Sequence, residues 1–450
     1  MNSMKKKLHK KQTITGQKTK KQAKKKETVT IVGTGYVGLP LACLCGEKGY
    51  RTFGTSRSKS NVNLINKGVS PIQGDAELDK WVAKKSFTAL STYETVKRSD
   101  IVIICVPTPV DEQYNPDLTP VKSACKNIAR HMKKGQLVIM ESTINPGVCE
   151  EVILPILEKV SGLTAGKDFY LAHCPERINP GDAHWNVRNI PRCVGALTKR
   201  GLTKAVTFYG NIIAGEIKPM KSLKEAEATK IIENSFRDIN IAFVNELAKS
   251  FEVLGIDLVD VIDGAKTKPF AFMAHYPSCG VGGHCIPVDP YYLIERARKA
   301  GFNHRFLKLA REINNSMPAY TIDRMIDALN EVKRPIKGTK IGVLGLSYKA
   351  DVDDLRESPA IKIIELLKEK GANVEIFDPF FPEKSTANSL VDLLRKSQAI
   401  VIATDHSDFK KIPATWLKRY GVKAIVDGKN CCKEKDKIKK MGIIYKGIGR

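Results

Sequence analysis

A glycine-rich turn near the start of the chain constrains the fold most strongly. The turn reads Gly33-Thr-Gly-Tyr-Val-Gly38 and follows an apolar run at residues 29–32 that suits a buried strand. Its glycines suit a tight turn, a close backbone approach to a pyrophosphate and tight helix packing. We assign the following residues to a dinucleotide site: Gly33, Gly35, Tyr36, Val37 and Gly38. The alternative is a glycine-rich turn that binds nothing.

Short apolar runs between residues 28 and 215 alternate with helical patterns, as in an α/β domain with a mainly parallel sheet. The predicted strands are residues 29–32, 51–54, 101–106, 137–141, 170–173 and 191–195. A second βα pattern begins at residue 340, after a linker at 333–338 that contains Pro and Gly. We therefore expect an α/β fold with two doubly wound, Rossmann-like domains, 28–215 and 333–450. Ligands of such folds bind in the crevice at the carboxyl ends of the strands.

The segment between these two units has a helical pattern instead. Residues 222–265 contain few helix-breaking residues and are predicted to form one long helix. A helix of that length suits bridging between domains or pairing between subunits. A second helical stretch is predicted from residue 291 to about 329. We expect residues 216–332 to form a central dimerisation domain, so that the protein is a homodimer or a higher homo-oligomer.

The formal net charge of +26 is concentrated at the amino terminus. Residues 1–26 contain eleven lysines and no acidic residue, so about fifteen positive charges belong to the other residues. A segment with so few large apolar side chains cannot bury enough surface to fold, and residues 1–27 are predicted to be a disordered, solvated tail. Nucleic-acid binding through this tail is the weaker alternative, because no aromatic residues are interleaved with the lysines.

Cysteine usage and hydropathy predict the compartment. The eleven cysteines are scattered, odd in number and without paired CxxC spacings, which argues for a reducing compartment and against a zinc site. The chain has no apolar run of about 18 residues and no secretory signal. We therefore expect a cytoplasmic protein with no bound metal and no membrane span.

The loop after the second predicted strand bears on the choice of dinucleotide. An acidic residue is expected there to bind the ribose 2′-hydroxyl of NAD, but the stretch reads Gly54-Thr-Ser-Arg-Ser-Lys-Ser60. Ser56 takes the place of the carboxylate, and Arg57 and Lys59 are suited to a 2′-phosphate, which favours NADP. The alternative is that Ser56 binds the hydroxyl of NAD and Arg57 faces water.

The segment Gly280-Val-Gly-Gly-His-Cys-Ile-Pro-Val-Asp-Pro290 predicts a working thiol. Cys285 lies in a glycine-rich bend, where packing gives no obvious reason for a cysteine, and Asp289 follows four residues later. The alternative is a buried bystander. His284 is expected to point away from its neighbour, and Cys279 is not expected to be a redox partner. A thiol combined with a hydride acceptor allows oxidation of a carbon beyond the aldehyde.

Lys230 and Asn234 share one face of the predicted long helix, because they are four residues apart. We hypothesise that this face looks into the crevice. Lys230 would then stabilise a developing oxyanion, and Asn234 would hold a water molecule. The alternative is a solvent-exposed pair without a role.

The motifs together resemble the nucleotide-sugar 6-dehydrogenases, the family that acts on UDP-glucose, GDP-mannose and UDP-N-acetylhexosamines. The segments that carry the resemblance are Gly33-Thr-Gly-Tyr-Val-Gly38, Cys105-Val-Pro-Thr-Pro109, Glu141-Ser-Thr-Ile-Asn-Pro-Gly147, Cys174-Pro-Glu-Arg177, Gly282-Gly-His-Cys-Ile-Pro287 and Gly345-Leu-Ser-Tyr-Lys-Ala-Asp-Val-Asp-Asp-Leu-Arg-Glu-Ser-Pro359. The resemblance implies an N-terminal Rossmann domain, a central helical dimerisation domain and a C-terminal domain that binds the UDP-sugar. It also implies NAD as the usual cofactor.

The resemblance assigns roles residue by residue. In catalysis, Cys285 resembles the nucleophile, Lys230 and Asn234 the oxyanion and water holders, Asp289 a second polar partner, Thr143 a water-binding hydroxyl and Glu176 an acid–base residue of the hydrolysis. Further cofactor contacts are expected at Ser56, Arg57, Pro107, Thr108, Glu141 and Thr143. Substrate contacts are expected at Glu176, Arg177, Lys230, Asn234, Gly282, Lys349 and Arg356.

Two departures from the UDP-glucose enzymes narrow the expected substrate. Pro180 stands where those enzymes have a second glutamate, and Val288 stands where they have a lysine before the aspartate. Both are similar to the branch that acts on UDP-N-acetylhexosamines. Residues 266–270 with Tyr276 and Pro277 look most like the UDP-N-acetylglucosamine members, with UDP-N-acetylmannosamine next and UDP-glucose after it. The sequence leaves the epimer open.

The implied reaction is a four-electron oxidation of the C6 hydroxyl to the uronic acid. An aldehyde forms first, Cys285 adds to it, and a thioester forms and is hydrolysed. Two rival classes remain at this stage. A single-hydride dehydrogenase of the 6-phosphogluconate or 3-hydroxyacid kind needs neither Cys285 nor residues 340–450, and a non-catalytic nucleic-acid binder would need only the lysine-rich tail.

Overall fold

The computed structural model describes residues 27–72, 75–111, 115–178 and 184–450. The predicted tail at 1–27 therefore lies outside the described residues except for Glu27, and so does Pro180. In the described ranges, no helix is long and apolar enough to cross a bilayer.

The first sheet has eight strands, and its elements follow the predicted α/β alternation. In chain order the elements are β1 (Thr28–Val32), α1 (Gly38–Glu47), β2 (Arg51–Thr55), α2 (Lys59–Lys67), α3 (Ala76–Ala83), β3 (Thr88–Leu90), β4 (Ile101–Ile104), α4 (Thr119–Ala129), β5 (Leu137–Met140), α5 (Leu154–Ser161), β6 (Tyr170–His173), β7 (Arg192–Ala196), α6 (Lys199–Ile212) and β8 (Ile217–Pro219). The spatial order is β3-β2-β1-β4-β5-β6-β7-β8. All neighbouring pairs are parallel except β6 and β7. Each predicted strand is confirmed, and β8 carries this sheet beyond residue 215, to Pro219.

The central segment is helical, but the prediction of one helix over residues 222–265 is wrong. The structure has α7 (Leu223–Val253) and α8 (Leu258–Lys266), because Gly255 adopts a left-handed φ of +68° and ends the first helix. Asp257 then caps α8. The second stretch is likewise divided at Gly301, with a φ of +88°. Its helices are α9 (Asp289–Lys299) and α10 (Phe306–Glu331).

The second sheet has five parallel strands. Its elements are β9 (Lys340–Leu344), α11 (Pro359–Glu369), β10 (Asn373–Phe377), α12 (Leu390–Lys396), β11 (Ala399–Ile402), α13 (Ala414–Arg419), β12 (Ala424–Asp427), α14 (Lys435–Lys440) and β13 (Ile444–Gly447). The strand order is β10-β9-β11-β12-β13. This is the doubly wound order with one topological switch point, at which ligands of such sheets bind. The predicted fold, two Rossmann-like domains around a central helical one, is confirmed.

Buried polar contacts fix α7 against α10. Arg311 of α10 donates from Nη1 to Oδ1 of Asp238 of α7 at 2.6 Å, and both side chains are less than 5% exposed. Asn314 donates to the same carboxylate oxygen at 2.8 Å. Asn245 of α7 donates to Oδ1 of Asn314 at 2.9 Å. Directional bonds of this kind fix the register of two helices more strictly than apolar contacts do.

The segment between α8 and α9 is tied to the second sheet. The N–H of Cys279 donates to the carbonyl of Gly428 at 2.8 Å, and the N–H of Gly283 donates to the carbonyl of Arg356 at 2.9 Å. Gly283 has a φ of +89°, and a Cβ there would lie 2.8 Å from the ring of Tyr348. Only glycine therefore suits this position, two residues before Cys285.

Candidate active site

The glycine turn of the first domain has the shape that a dinucleotide requires. The N–H of Gly33 donates to the carbonyl of Thr55 at 2.8 Å, which closes the turn beside the end of β2. A Cβ on Gly33 would overlap the carbonyl of Cys105, and a Cβ on Gly38 would overlap the carbonyl of Gly33. Gly35 instead faces open space, with no atom within 4 Å of an added Cβ. The turn therefore leaves room for a pyrophosphate at the N-terminus of α1.

The loop after β2 carries two exposed cations. The N–H of Ser56 donates to the carbonyl of Leu90 at 3.0 Å, and the hydroxyl of Ser56 accepts from the N–H of Ser58 at 3.3 Å. Ser56 is half-buried, whereas Arg57 and Lys59 are exposed. The loop after β2 thus carries positive charge. A contact between this loop and a cofactor phosphate stays a prediction.

The remaining predicted cofactor residues differ in exposure. Pro107 is exposed and Thr143 is half-buried. Thr108 is buried, and its carbonyl accepts from the hydroxyl of Tyr292. Glu141 is 1% exposed and accepts from the hydroxyl of Tyr209 at 2.5 Å. Its carboxylate lies inside the domain, so its predicted contact with a cofactor gains no support from this position.

Four of the predicted catalytic residues lie together where α7 meets the start of α9. The carbonyl of Cys285 accepts from the N–H of Asp289 at 2.8 Å, in the turn that opens α9. Asn234 donates from Nδ2 to Oδ2 of Asp289 at 2.5 Å. The side chain of Lys230 lies one helical turn before Asn234 on α7, and its charge lowers the pKa of both Asp289 and Cys285. Asn234, Asp289 and Lys230 are buried, whereas Cys285 is exposed to solvent.

Burial dominates the electrostatics of this cluster. It raises the pKa of Asp289 to about 6, against the opposing effects of the Lys230 charge and the Asn234 hydrogen bond. The pKa of Cys285 is raised to about 11, first by desolvation and then by the charge of Asp289, although part of its surface meets solvent. Lys230 and Arg356 act in the opposite direction on the thiol. His284 has its pKa lowered by burial and by Arg356, so its imidazole is neutral at pH 7.

Glu176 belongs to a second set of polar contacts. Its Oε1 accepts from the N–H groups of Arg177 at 2.6 Å and Ile178 at 2.7 Å. Its Oε2 is 2.6 Å from Nη1 of Arg192, a buried partner that sequence reasoning missed. Arg177 forms an ion pair with Glu233 at 2.6 Å. Sequence signals do not reveal Arg192, because its contact depends on how β7 is placed beside β6.

The carboxyl edge of the second sheet brings further cations to the site. Arg356 binds Asp354 with both ends of its guanidinium, and its Cζ lies 5.6 Å from the ring centroid of Tyr36. Lys349 is half-buried in the same loop. Sequence reasoning missed Lys429, which lies two residues after the end of β12. Burial raises the pKa of Cys279, and the charge of Lys429 opposes that rise. A cation at this edge is well placed for a phosphate.

Two features define the class of protein: the dinucleotide-type turn and the second doubly wound sheet. The contact between Tyr36 and Arg356 joins them at the carboxyl edges of the two sheets. The fold and the turn define a dinucleotide-binding protein.

Comparison with family models identifies the group within this class. Residues 27–213 match the NAD binding domain of the UDP-glucose/GDP-mannose dehydrogenase family, residues 224–316 match its central domain, and residues 342–434 match its UDP binding domain. The chain belongs to the UDP-glucose/GDP-mannose dehydrogenase family. The resemblance inferred from the motifs is thereby confirmed, and so is NAD as the cofactor.

Individual relatives are similar over most of the chain. A UDP-N-acetyl-D-mannosamine dehydrogenase of Pyrococcus horikoshii is 35% identical, with 94% of this chain and 99% of that protein covered. A UDP-N-acetyl-D-glucosamine 6-dehydrogenase of Pseudomonas aeruginosa is 36% identical, with coverages of 87% and 94%. The solved structure of UDP-D-ManNAc dehydrogenase from Pyrococcus horikoshii matches with a TM-score of 0.88 at 35% identity, covering 94% of this chain and 99% of that chain.

The ionisation of Asp289 predicts the acid limb of the pH–rate profile. We expect kcat/KM for NAD reduction to fall as the pH drops through about 6, because protonation of the free enzyme removes the carboxylate beside Cys285. Replacing Asn234 by Ala should move this midpoint to higher pH, since its hydrogen bond lowers the pKa of Asp289. Steady-state kinetics across the pH range measure both effects.

The matched control is Asn240→Ala, because Asn240 lies on the same helix but donates to the carbonyl of Phe236 instead. Its midpoint should equal that of the wild type. A wild-type profile without an acid limb, or an Asn234→Ala midpoint that does not move, contradicts the assignment to Asp289.

Proposed function

We propose that the protein oxidises the C6 hydroxyl of a UDP-N-acetylhexosamine to the uronic acid, with UDP-N-acetylglucosamine favoured. The observation that carries the proposal is the exposed thiol of Cys285 beside the buried Lys230, Asn234 and Asp289. A nucleophile next to a positive charge and a base suits oxidation of an aldehyde to an acid. Such a product is a building block for polysaccharides.

NAD, held at the turn of Gly33 to Gly38, supplies the hydride acceptor for both oxidations. The chain's own residues do the remaining chemistry. The sulfur of Cys285 forms a bond to C6 of the aldehyde as the S–H bond breaks and its proton passes to the carboxylate of Asp289, and Lys230 stabilises the oxyanion that develops on the C6 oxygen. After the second oxidation C6 is a thioester. Glu176 or Asp289 then takes a proton from the attacking water, the C–S bond breaks and the thiolate of Cys285 leaves.

The choice of epimer rests on a short segment of sequence. Named relatives include both a UDP-N-acetyl-D-mannosamine and a UDP-N-acetyl-D-glucosamine enzyme, at 35% and 36% identity, so overall identity does not separate them. Residues 266–270 favour the glucosamine substrate, and UDP-N-acetylmannosamine and then UDP-glucose are the alternatives. Val288 is 2% exposed and packs with Ile231 and Tyr292, so this position offers no cation to the substrate.

Counting cofactor tests the reaction. With a UDP-N-acetylhexosamine we expect two NAD reduced per sugar consumed, because oxidation of an alcohol to an acid removes four electrons. Cys285→Ser should abolish formation of the acid and keep cofactor binding, since the hydroxyl is a much weaker nucleophile. Absorbance of the reduced cofactor and chromatography of the products, over a panel of UDP-sugars, measure both.

Cys279→Ser is the matched control. This thiol is fully buried and donates to the carbonyl of Ala403 at 3.5 Å, so the variant should keep two NAD per sugar. One NAD per sugar in the wild type, or an undiminished Cys285→Ser rate, rules out the thioester route.

The loop after β2, with Ser56 and Arg57, predicts that the enzyme accepts both NAD and NADP. No carboxylate stands there to repel a 2′-phosphate, and Arg57 is exposed, so we expect NADP to be accepted at least comparably to NAD. Ser56→Asp with Arg57→Ile should shift the preference toward NAD, because the new carboxylate binds the ribose hydroxyl and repels the phosphate. The measurement is kcat/KM for both cofactors at fixed sugar.

Lys67→Ile serves as the control, because Lys67 is the cation at the opposite end of α2. It should leave the ratio unchanged. A wild type that strongly prefers NAD, together with a double variant of the same preference, would show that Arg57 only faces water.

We propose that a second copy of the chain covers an exposed apolar stripe on α7. Ile232, Phe236 and Phe243 are 59%, 48% and 54% exposed, and Ile239 lies between them at heptad spacing. A stripe on a helix of 31 residues can pair with itself around a twofold axis. Apolar side chains repeated along one helix face are typical of subunit interfaces.

Sedimentation equilibrium tests this assembly. The wild type should have about twice the 49.9 kDa mass of one chain. Phe236→Asp with Phe243→Asp should give monomers, because the charges oppose burial. Val160→Asp on α5, where Val160 is 37% exposed, should keep the wild-type mass. A monomeric wild type, or a double variant that still dimerises, contradicts the proposal.

A further inference from the structure

A buried carboxylate on α7 holds the segment that follows β5. Glu227 is 1% exposed, and each of its oxygens accepts a main-chain hydrogen bond: Oε2 from the N–H of Gly147 at 2.5 Å and Oε1 from the N–H of Cys149 at 2.8 Å. Both donors lie in residues 141–149, between the end of β5 and the helical turn that leads into α5. Glu227 therefore bonds α7 to the segment of the first domain that contains Thr143.

The same turn of α7 carries a predicted catalytic cation. Lys230 follows Glu227 by three residues, so the two side chains are neighbours on one face of the helix. Ile231, the next residue, packs with Tyr292 of α9, the helix that begins at Asp289. One turn of α7 thus contacts the segment after β5 through Glu227 and contacts α9 through Ile231.

The segment after β5 is also bonded directly to α9. Asn145 is 7% exposed, and its Nδ2 donates to the carbonyl of Tyr292 at 3.0 Å. Gly147 has a φ of +98°, and a Cβ there would lie 2.8 Å from Oε1 of Glu151 and 2.9 Å from Nη2 of Arg296 of α9. The segment, α7 and α9 therefore meet in pairs, and a shift of one of them displaces it from both of the others.

The chemistry of the two bonds explains why a carboxylate occupies this position. Burial raises the pKa of Glu227, and the N–H groups of Gly147 and Cys149 oppose that rise, so the charge carries a desolvation cost. A glutamine would keep one acceptor oxygen but would turn its NH2 group toward the other N–H. Holding both N–H groups at once requires both oxygens of a carboxylate.

We propose that Glu227 is a positioning residue for hydride transfer, because it holds the segment of Thr143, on the cofactor side of the site, against the turn of α7 that carries Lys230. This inference rests on the function proposed above. In the step concerned, the C6–H bond breaks, its electron pair leaves with the hydride to NAD, and the proton of the C6 hydroxyl passes to water. Reacting atoms must lie within about 3–3.5 Å of each other, so a displaced segment slows this step.

Two variants at position 227 separate positioning from folding. Glu227→Gln disrupts one of the two bonds at nearly constant size. Glu227→Met removes both bonds together with the cost of the buried charge, so its melting temperature should stay close to that of the wild type. Glu150→Gln is the matched control, because Glu150 links the same helical turn to α7 through Lys224 at 2.8 Å, but this ion pair is partly exposed.

Single-turnover kinetics report on the hydride step itself. Enzyme in excess is mixed with the UDP-sugar that it accepts, at saturating NAD, and stopped-flow absorbance follows the reduced cofactor. We expect the rate constant of the first hydride transfer to fall between about tenfold and a hundredfold in both variants at position 227, with KM for the UDP-sugar nearly unchanged. Glu150→Gln should keep the wild-type rate constant.

A merely structural role predicts a different result. Loss of folded enzyme lowers the number of working sites but leaves this rate constant as it is. A folded variant at position 227 with the wild-type rate constant therefore overturns the inference. Unfolding of both variants assigns Glu227 to the fold alone and overturns it as well.

Hydrogen–deuterium exchange gives a second measurement that needs no substrate. The peptide over residues 142–153 should exchange faster in both variants at position 227, because the N–H groups of Gly147 and Cys149 lose acceptor oxygens, and at the wild-type rate in Glu150→Gln. Unchanged exchange at position 227 overturns the positioning role. If the wild type oxidises UDP-glucose alone, the proposed substrate fails, and the same kinetics with UDP-glucose still decide the role of Glu227.

Discussion

The hydrogen bond between Asn234 and Asp289 joins the parts of the molecule that must act together. Asn234 belongs to α7, which packs against the edge of the first sheet, where Gly195 of β7 approaches the carbonyl of Ser222 so closely that only glycine fits. Asp289 opens α9, and the segment before it is tied to the second sheet by main-chain bonds at Cys279 and Gly283. One buried bond of 2.5 Å therefore connects the cofactor domain, the central helices and the UDP-binding domain.

The buried carboxylate of Asp289 makes the stability of the fold depend on pH. Burial raises the pKa of Asp289 from 3.8 to about 6, so the folded state binds a proton more tightly than the unfolded state. The fold therefore gains stability from this group as the pH falls from about 6 toward 3.8, and it carries the cost of a buried charge above pH 6. Lys230 and Asn234 offset part of that cost. A buried charge with a shifted pKa beside an exposed thiol is typical of catalytic sites.

Much of the fold and part of the site could be predicted from local patterns. Strands buried on both faces read as continuous apolar runs, so β1, β4 and β5 were found directly. The breaks at Gly255 and Gly301 were missed, because a single glycine only weakly favours a helix end until its left-handed φ is known. Helical spacing placed Lys230 and Asn234 on one face, and the structure brings that face to Asp289. The partners of Glu176 depend on the direction of β7, which no local pattern specifies.

The buried carboxylates of Glu141, Glu176 and Asp289 differ in the groups that compensate their charge. Nη1 of Arg192 lies 2.6 Å from Oε2 of Glu176 and 3.9 Å from Oε2 of Glu141. Oε1 of Glu141 accepts from the hydroxyl of Tyr209, and Oε1 of Glu176 accepts from the N–H of Arg177. Asp289 has a single hydrogen bond from Asn234, and the Lys230 charge near it also acts on Cys285. Burial raises the pKa of Glu141 to about 7 and that of Asp289 to about 6, so both carboxyls can exchange a proton close to neutral pH, and it is the position of Asp289 beside Cys285 that distinguishes it.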